Sequence, residues 1–363
     1  MLITGGAGFI GSNFTHYWAD SYPNDRIVVL DALTYAGNLA NLSTLPKGRI
    51  RFVHGDIANQ TLVLDLLREE QIDTVVNFAA ESHVDRSIDD PQAFTRTNVL
   101  GTQSLLDAAR IHWRTTSLSS PRFHHVSTDE VFGSLGVSDA PFTERHPYAP
   151  NSPYAASKAA ADHLVRAYGA TFGLPFTISN CSNNYGPYQF PEKLLPLCLV
   201  NLLEGRKLPI YGDGRQIRDW LHVDDHCRAI GTILTTAPVA TTWNIGGRSE
   251  ATNLDMVLRL CEAVEAAFAR DRLLWERFPE CPAARATPCR SQIEFVQDRP
   301  GHDRRYAIDG SRIERELGFR AGVPLDQGLI KTVAWYLEHE SWWRAIKDGT
   351  YRRGLGGATT ALA

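Results

Sequence analysis

The 363-residue chain has no apolar run near the roughly 20 residues of a membrane span, which argues against a membrane-crossing helix. It opens directly on Leu2-Ile3-Thr4 with no leader pattern ahead, so no secretory signal is expected. The six cysteines, at 181, 198, 227, 261, 281 and 289, form no Cys-x-x-Cys pair. That spacing suits reduced thiols in a cytoplasm better than a disulfide framework or a zinc site. Neither sign of charge dominates. A formal net charge of −4 gives no general attraction to nucleic acid or to an anionic membrane. No internal repeat is visible. His222 and His226 stand four apart in His222-Val223-Asp224-Asp225-His226, but no further ligand cluster lies near them in the sequence. No metal is therefore expected, and Asp224 and Asp225 read as helix-start residues.

What is present is a globular composition, 43% hydrophobic and 21% charged, in a chain long enough for two domains. Leu2-Ile3-Thr4 runs into Gly5-Gly6-Ala7-Gly8-Phe9-Ile10-Gly11. A strand, a glycine turn and a helix start in that order suit a pyrophosphate: Gly5, Gly8 and Gly11 let the backbone approach closely, and the helix offers N–H groups. A second strand, Arg26 to Asp31, ends in an acid about 20 residues past the glycines, where a carboxylate accepts from adenosine ribose hydroxyls. It would repel a 2′-phosphate, so NAD is expected over NADP. Further strands are predicted at Ile50–Ile57, with Asp56 at its end, and at Thr74–Ala80, where small Ala79 and Ala80 leave room for a cofactor. These near-continuous apolar runs fit a parallel sheet covered on both faces. Helices are predicted over 62–67 and 98–109.

The stretch that carries chemistry begins at Phe123–Val126, read as a buried strand, followed by Ser127-Thr128-Asp129-Glu130. After Pro153 a helical pattern carries Tyr154 and Lys158, which four-residue spacing puts on one face. An ammonium beside a phenol favours the phenolate and lowers its pKa, which suits proton removal from an alcohol during oxidation. Paired carboxylates suit a further acid/base step. Alone, each pattern is commoner as a solvated loop or an ordinary helix surface. Behind a dinucleotide fingerprint they point to catalysis.

The β-α alternation predicts an α/β fold: a doubly wound parallel sheet (Rossmann) with a smaller, discontinuous C-terminal substrate domain. Beyond a strand at Pro175–Asn180, Pro and Gly become frequent. Residues 1–182 are expected to form the NAD-binding domain, with a return at about 220–247. Residues 183–219 and 248–353 are expected to bind substrate. Leu254–Phe268 and Leu329–Trp343 read as helices, 269–292 as a surface excursion, Asp298–Tyr306 as a basic loop able to meet phosphate, and 354–363 as a disordered tail.

These motifs resemble the extended short-chain dehydrogenase/reductase superfamily and, within it, the dTDP-glucose 4,6-dehydratases, over nearly the whole chain. The glycine turn and Tyr-x-x-x-Lys mark only the superfamily. More specific are Thr128-Asp129-Glu130, Glu81-Ser82-His83-Val84-Asp85-Arg86-Ser87, Asn180-Cys181-Ser182-Asn183-Asn184-Tyr185-Gly186-Pro187 and Asp298-Arg299-Pro300-Gly301-His302-Asp303. The resemblance implies that Tyr154 takes the sugar O4 proton with help from Lys158 and Thr128, that Glu130 removes the C5 proton, and that Asp129 protonates the departing C6 hydroxyl. It implies NAD contacts from Phe9, Ile10, Asp31, Ala32, Leu33, Thr34, Asp56, Ile57, Ala79, Ala80, Glu81, Ser82, Thr97 and Asn184. It implies sugar-nucleotide contacts from His83, Asn183, Lys193, Leu194, Pro209, Ile210, Tyr211, Arg218, Asn253, Asp298, Arg299 and His302, with Arg218 and Arg299 on the diphosphate. It further implies a cytoplasmic homodimer through helices near 99–110 and 154–172, in nucleotide-sugar metabolism leading to deoxysugars such as rhamnose. The chain departs from the family in having Phe132 for a usual Tyr, and fewer residues ahead of Leu2. The rival readings are a sugar-nucleotide 4-epimerase or decarboxylase, which has no need of Asp129-Glu130, and a dinucleotide-sensing protein, which needs no catalytic pair at all.

Overall fold

The computed structural model describes residues 1–352 except 47, 117 and 119, so the expected tail at 354–363 lies outside the described residues. Seven strands form one sheet in the order β10-β6-β5-β4-β1-β2-β3. They are β1 (Leu2–Thr4), β2 (Ile27–Asp31), β3 (Ile50–His54), β4 (Thr74–Asn77), β5 (Arg122–Thr128), β6 (Phe176–Cys181) and β10 (Thr241–Ile245). Every pairing is parallel, with Leu2 opposite both Val28 and Val75. Alternation along the strands sends Ile3, Val29 and Val76 to one core, with the helices Phe9–Ser21 and Val223–Thr236. Leu2, Val28 and Val75 go to the other core, with Gln60–Glu69, Thr102–Thr115 and Pro153–Phe172. Both faces are thus covered, as the apolar runs require. The chain reverses direction across the sheet between β1 and β4, so their carboxyl ends open a crevice.

Two small sheets stand beyond it: β11-β9-β7, from β7 (Asn183–Tyr185), β9 (Ile217–His222) and β11 (Glu250–Thr252), and β12-β8, from β8 (Leu208–Tyr211) and β12 (Ile293–Val296). They pack on a separate core that includes Leu199, Met256, Leu260, Tyr336 and Trp343.

Several elements differ from expectation. The third strand stops at His54, because Gly55 follows and Asp56 turns to accept from Ala58 N (2.8 Å). The helix expected from Asn98 begins as a π-type turn, Thr95–Gly101. The last helix is two, Leu325–Glu338 and Glu340–Lys347, broken at His339, whose ring stacks on Trp335 at 4.3 Å. Residues 269–292 are no surface excursion. Phe278, Cys281 and Cys289 are fully buried in the second core, which gives this segment an anchor that its mixed composition concealed. All six cysteines are free and buried. Among the described residues no helix is long and apolar enough to cross a membrane.

Candidate active site

A cleft of about 500 Å³ runs from the glycine turn, over the carboxyl ends of the strands, to the two small sheets. Its cofactor end is built by the first βα turn. Gly5 has φ +66°, and a Cβ there would lie 2.7 Å from Ala79 N; one at Gly11 would lie 2.2 Å from Gly5 O. The glycines are therefore fixed by close approach of backbone to backbone. The helix that follows starts at Gly8 with no side-chain cap and no acid in its first turn, leaving N–H groups for an anion. Asp31 closes this end, accepting from Ala7 N (2.9 Å) and Leu33 N (2.8 Å). Each oxygen keeps a lone pair for a ribose hydroxyl, so these residues fit a dinucleotide. Of the residues expected here, all line the cleft except Leu33. Its side chain is buried in the first core, and only its backbone N–H contributes, through Asp31.

The middle of the cleft brings Thr128, Asp129, Glu130, Tyr154 and Lys158 together from two elements. β5 ends at Thr128, and Asp129–Phe132 is one 3₁₀ turn whose cap is the Thr128 hydroxyl, accepting from Glu130 N (3.3 Å). The Pro153–Phe172 helix starts on Ser152, whose hydroxyl accepts from Ala155 N (3.1 Å), and delivers Tyr154 and Lys158 on one buried face. Asn98, placed by the π-type turn, donates to Glu81 O (3.0 Å) and Ser157 Oγ (2.8 Å). It ties the loop after β4 to the Tyr154 helix, a use of π geometry common at functional sites.

The two carboxyls are in unlike surroundings. Burial, more than the neighbouring Glu130 charge, pushes Asp129 well above the ordinary carboxylate range. Among the described residues nothing donates to its Oδ2. Burial also raises Glu130, but Arg299, Arg218 and Lys193 all pull it back. The two environments thus differ, with Asp129 pushed further toward its protonated form than Glu130. Tyr154 departs from expectation. Burial, with the charge of Glu130, pushes its phenol well up, while the Thr128 hydroxyl works against them. Lys158 Nζ gives its hydrogen bond to Val126 O (2.8 Å).

At the far end Lys193 Nζ donates to Ser82 O (2.9 Å), joining the second lobe to the loop after β4. His83 is pushed down to about 4 by burial and by Lys193, so it is neutral. Arg218 is 4% exposed and donates to Ile217 O (2.8 Å) and Asp303 O (3.0 Å), with its guanidinium 4.3 Å from the Tyr306 ring centroid. Of the residues expected at this end only Asp298 is off the wall. Its carboxylate is spent on His302 Nδ1 (2.6 Å), Arg299 N (2.9 Å) and Gln216 Nε2 (3.0 Å), so it shapes the loop. Tyr35, Glu192 and Tyr306 also line the cleft and were not expected there. The adjacency of Glu192 to Lys193, and the place of Tyr306 at the end of the basic loop Asp298–Tyr306, were the only sequence signals for any of them. Phe132 is buried against Phe142 and Tyr148, so the departure from the family falls in an apolar cluster and not on the cleft wall. His222 and His226 do not pair. His222 Nδ1 caps Asp224 N (3.3 Å), and His226 Nδ1 meets Asn184 Oδ1 (2.9 Å). Among the described residues no cluster of three or more His, Cys, Asp or Glu side chains could hold a metal ion.

A doubly wound sheet with a glycine turn at β1, an acid ending β2 and a Tyr-x-x-x-Lys helix against the crevice defines the extended short-chain dehydrogenase/reductase class. The family model described as GDP-mannose 4,6 dehydratase matches residues 2–332. The dTDP-glucose 4,6-dehydratase of Xanthomonas campestris pv. campestris (strain B100) is 51% identical over 362 residues, 99% of either chain. Among solved structures, the dTDP-glucose 4,6-dehydratase DesIV of Streptomyces venezuelae, with NAD bound, superposes with TM-score 0.83 at 46% identity, covering 95% of this chain and 99% of its own. That of Bacillus anthracis, in complex with NAD, gives 0.81 at 43%, covering 95% and 98%. The chain belongs to the dTDP-glucose 4,6-dehydratase family.

Proposed function

We propose that this chain converts dTDP-glucose to dTDP-4-keto-6-deoxy-glucose, by oxidation at C4, loss of water across C5 and C6, and reduction at C6. The observation that carries the reading is the unlike environment of Asp129 and Glu130 beside Tyr154 in one cleft. NAD, when bound, accepts hydride from the sugar and returns it. Tyr154 takes the O4 proton as the phenolate, a form that the Thr128 hydroxyl and a Lys158 ammonium favour against burial and the Glu130 charge. The resulting ketone acidifies C5–H, and Glu130, held toward its charged form by Arg299, Arg218 and Lys193, removes that proton. Asp129, whose burial favours the protonated form, gives its proton to the leaving C6 hydroxyl, so that water departs. Arg218 and Arg299 are assigned to the nucleotide diphosphate.

A 4-epimerase would have no use for an acid kept protonated next to a base. A panel of nucleotide-glucose substrates tests the reading. A 4-keto-6-deoxy product from dTDP-glucose supports it, and a hexose epimer or no turnover overturns it.

Leu100, 52% exposed, and Phe172, 49% exposed, lie on the two helical segments expected to pair copies of the chain. We assign to them a homodimer contact, which sedimentation of Leu100→Glu against the parent chain tests. A cytoplasmic place in deoxysugar synthesis, with rhamnose as one end product, and a division into NAD-binding (1–182 and about 220–247) and substrate lobes complete the reading.

A further inference from the structure

Tyr154, Lys158 and Asp162 follow one another at four-residue intervals along one face of the Pro153–Phe172 helix. The first two belong to the proposed chemistry. The third is 0% exposed, does not line the cleft and has no part in the steps above.

Burial raises the Asp162 carboxyl, while Lys158 and the hydroxyls of Tyr148 and Ser127 pull it back toward the carboxylate. Ser127 Oγ and Tyr148 OH each donate to its Oδ2 at 2.8 Å. His125 Nε2 lies 3.4 Å from its Oδ1, and the tautomer of that ring is fixed from the other side. Ala79 N donates to Thr4 Oγ1, so the Thr4 hydroxyl gives its proton to Asn77 Oδ1 (2.6 Å). Asn77 Nδ2 therefore faces His125 Nδ1 (3.1 Å) and donates to it. Burial and Lys158 hold His125 well below the ordinary imidazole range, so the ring is neutral and its one proton sits on Nε2, which stands 3.4 Å from Asp162 Oδ1 without a hydrogen bond to it.

Lys158 Nζ lies 3.4 Å from the same His125 Nε2. That nitrogen carries a proton and cannot accept from the ammonium. The ammonium makes no direct ion pair with Asp162, but Nζ and Asp162 Oδ1 both stand 3.4 Å from one atom and so lie within about 7 Å of each other. Lys158 is 4% exposed. Burial alone drives such a lysine toward the neutral amine. At an effective interior dielectric of about 20, an opposite charge ~7 Å away shifts that equilibrium roughly 50-fold toward the ammonium.

We propose that Asp162 is a positioning residue for the reaction: it is the buried counter-charge that keeps Lys158 an ammonium, presented from one helical turn beyond it and fixed by Ser127 and Tyr148. The titratable groups facing this pair are Arg166 on the same helix, which donates to Tyr148 OH (2.8 Å), His125 on β5, Cys181 on β6 and Tyr148 in the preceding loop. Asp129 and Glu130 face Tyr154. None of these supplies a second fixed negative charge to Lys158. The catalytic consequence rests on the reading of Tyr154 as base; the electrostatic claim does not.

The chain has six lysines, few enough for each to be followed by carbon NMR after labelling at the ε-carbon. The Lys158 signal is the one lost in Lys158→Met. In Asp162→Asn, which keeps the side-chain volume, the Lys158 titration midpoint is expected to fall by one pH unit or more, a tenfold or greater shift. A midpoint unmoved within 0.3 unit overturns the proposal. Should Asp162→Asn fail to fold, Tyr148→Phe removes one donor to the carboxylate and must move the midpoint in the same direction by a smaller amount; no movement there overturns it equally. In turnover, Asp162→Asn should lose about tenfold in kcat at neutral pH with KM within twofold, and should cost nothing further in a Lys158→Met background. An equal further loss in that background assigns Asp162 a merely structural role. Failure of the parent chain to turn over dTDP-glucose would sink the proposed reaction and leave the titration result standing.

Discussion

Arg299 Nη1 and Asp85 Oδ1 form a salt bridge at 3.2 Å across the mouth of the cleft, with the Tyr211 hydroxyl on the other carboxylate oxygen at 3.1 Å. It links the short helix Val84–Asp89 to the second lobe over the place where a nucleotide diphosphate is proposed to lie. A guanidinium in this position exchanges one anionic partner for another when substrate enters. Loss of a charge-assisted hydrogen bond costs about 1.5–3 kcal/mol. Arg299→Ala is therefore expected to raise KM roughly ten- to hundredfold. Arg299→Lys, which keeps the charge and loses the fork, should fall between. Steady-state kinetics with KM unchanged in both variants would remove Arg299 from the binding site.

Asp129→Asn separates the oxidation from the elimination. The amide has no acidic proton for the C6 hydroxyl, while Tyr154, Lys158 and Thr128 stay in place. Overall turnover should drop by ~10²–10⁴. Oxidation at C4 should continue, seen as a build-up of reduced-nicotinamide absorbance on mixing with substrate. Turnover at the parent rate would show that another group is the acid.

The same substitution has a stability signature of known sign. The folded-state pKa of Asp129 is raised, so between about 4 and that raised value the folded chain holds a proton that the unfolded chain has lost. Stability from this group therefore falls as pH rises, by at most about 1.4 kcal/mol per unit. Asn carries no such penalty. The Tm of Asp129→Asn minus that of the parent should be more positive at pH 8 than at pH 5, by roughly 2 °C or more. A difference independent of pH would mean that Asp129 titrates near its ordinary range.

What was legible in the sequence was local. Gly5, Gly8 and Gly11 needed only the strand before them and the helix after. Tyr154 and Lys158 needed only helical spacing. The strands were readable because both faces of the sheet are covered, although β3 and β4 end earlier than their apolar runs. Asp162 continues the spacing of Tyr154 and Lys158, but an acid on a helix is ordinarily exposed, so spacing alone gives it no role. Only the packing of β5 and Tyr148 against it shows that it is buried. Asn98 was invisible for a different reason: its reach to Ser157 depends on a π-type turn that no periodicity predicts. The Tyr154 phenol is raised where the spacing predicts it lowered, because burial and the charge of Glu130 act on it and neither shows in the spacing.

The fate of individual hydrogens distinguishes the proposed reaction from its rivals on this fold. An epimerase returns hydrogen to the carbon it left. A dehydratase cannot, because loss of water leaves a 4-keto-5,6-ene whose accepting carbon is C6. Substrate carrying deuterium at C4 should therefore give product with that deuterium in the C6 methyl group. In the proposed steps the proton at C5 passes through Glu130, an oxygen acid that exchanges with solvent, so the reaction run in D₂O should place deuterium at C5. The hydrogen moving from C4 to C6 stays bonded to carbon and does not exchange. Labelled and unlabelled substrates turned over together should show no crossover, because one bound cofactor serves one substrate through the whole cycle. Deuterium kept at C4 would identify an epimerase. Deuterium lost to free nicotinamide would identify a simple dehydrogenase, and either result would displace the roles given to Asp129 and Glu130.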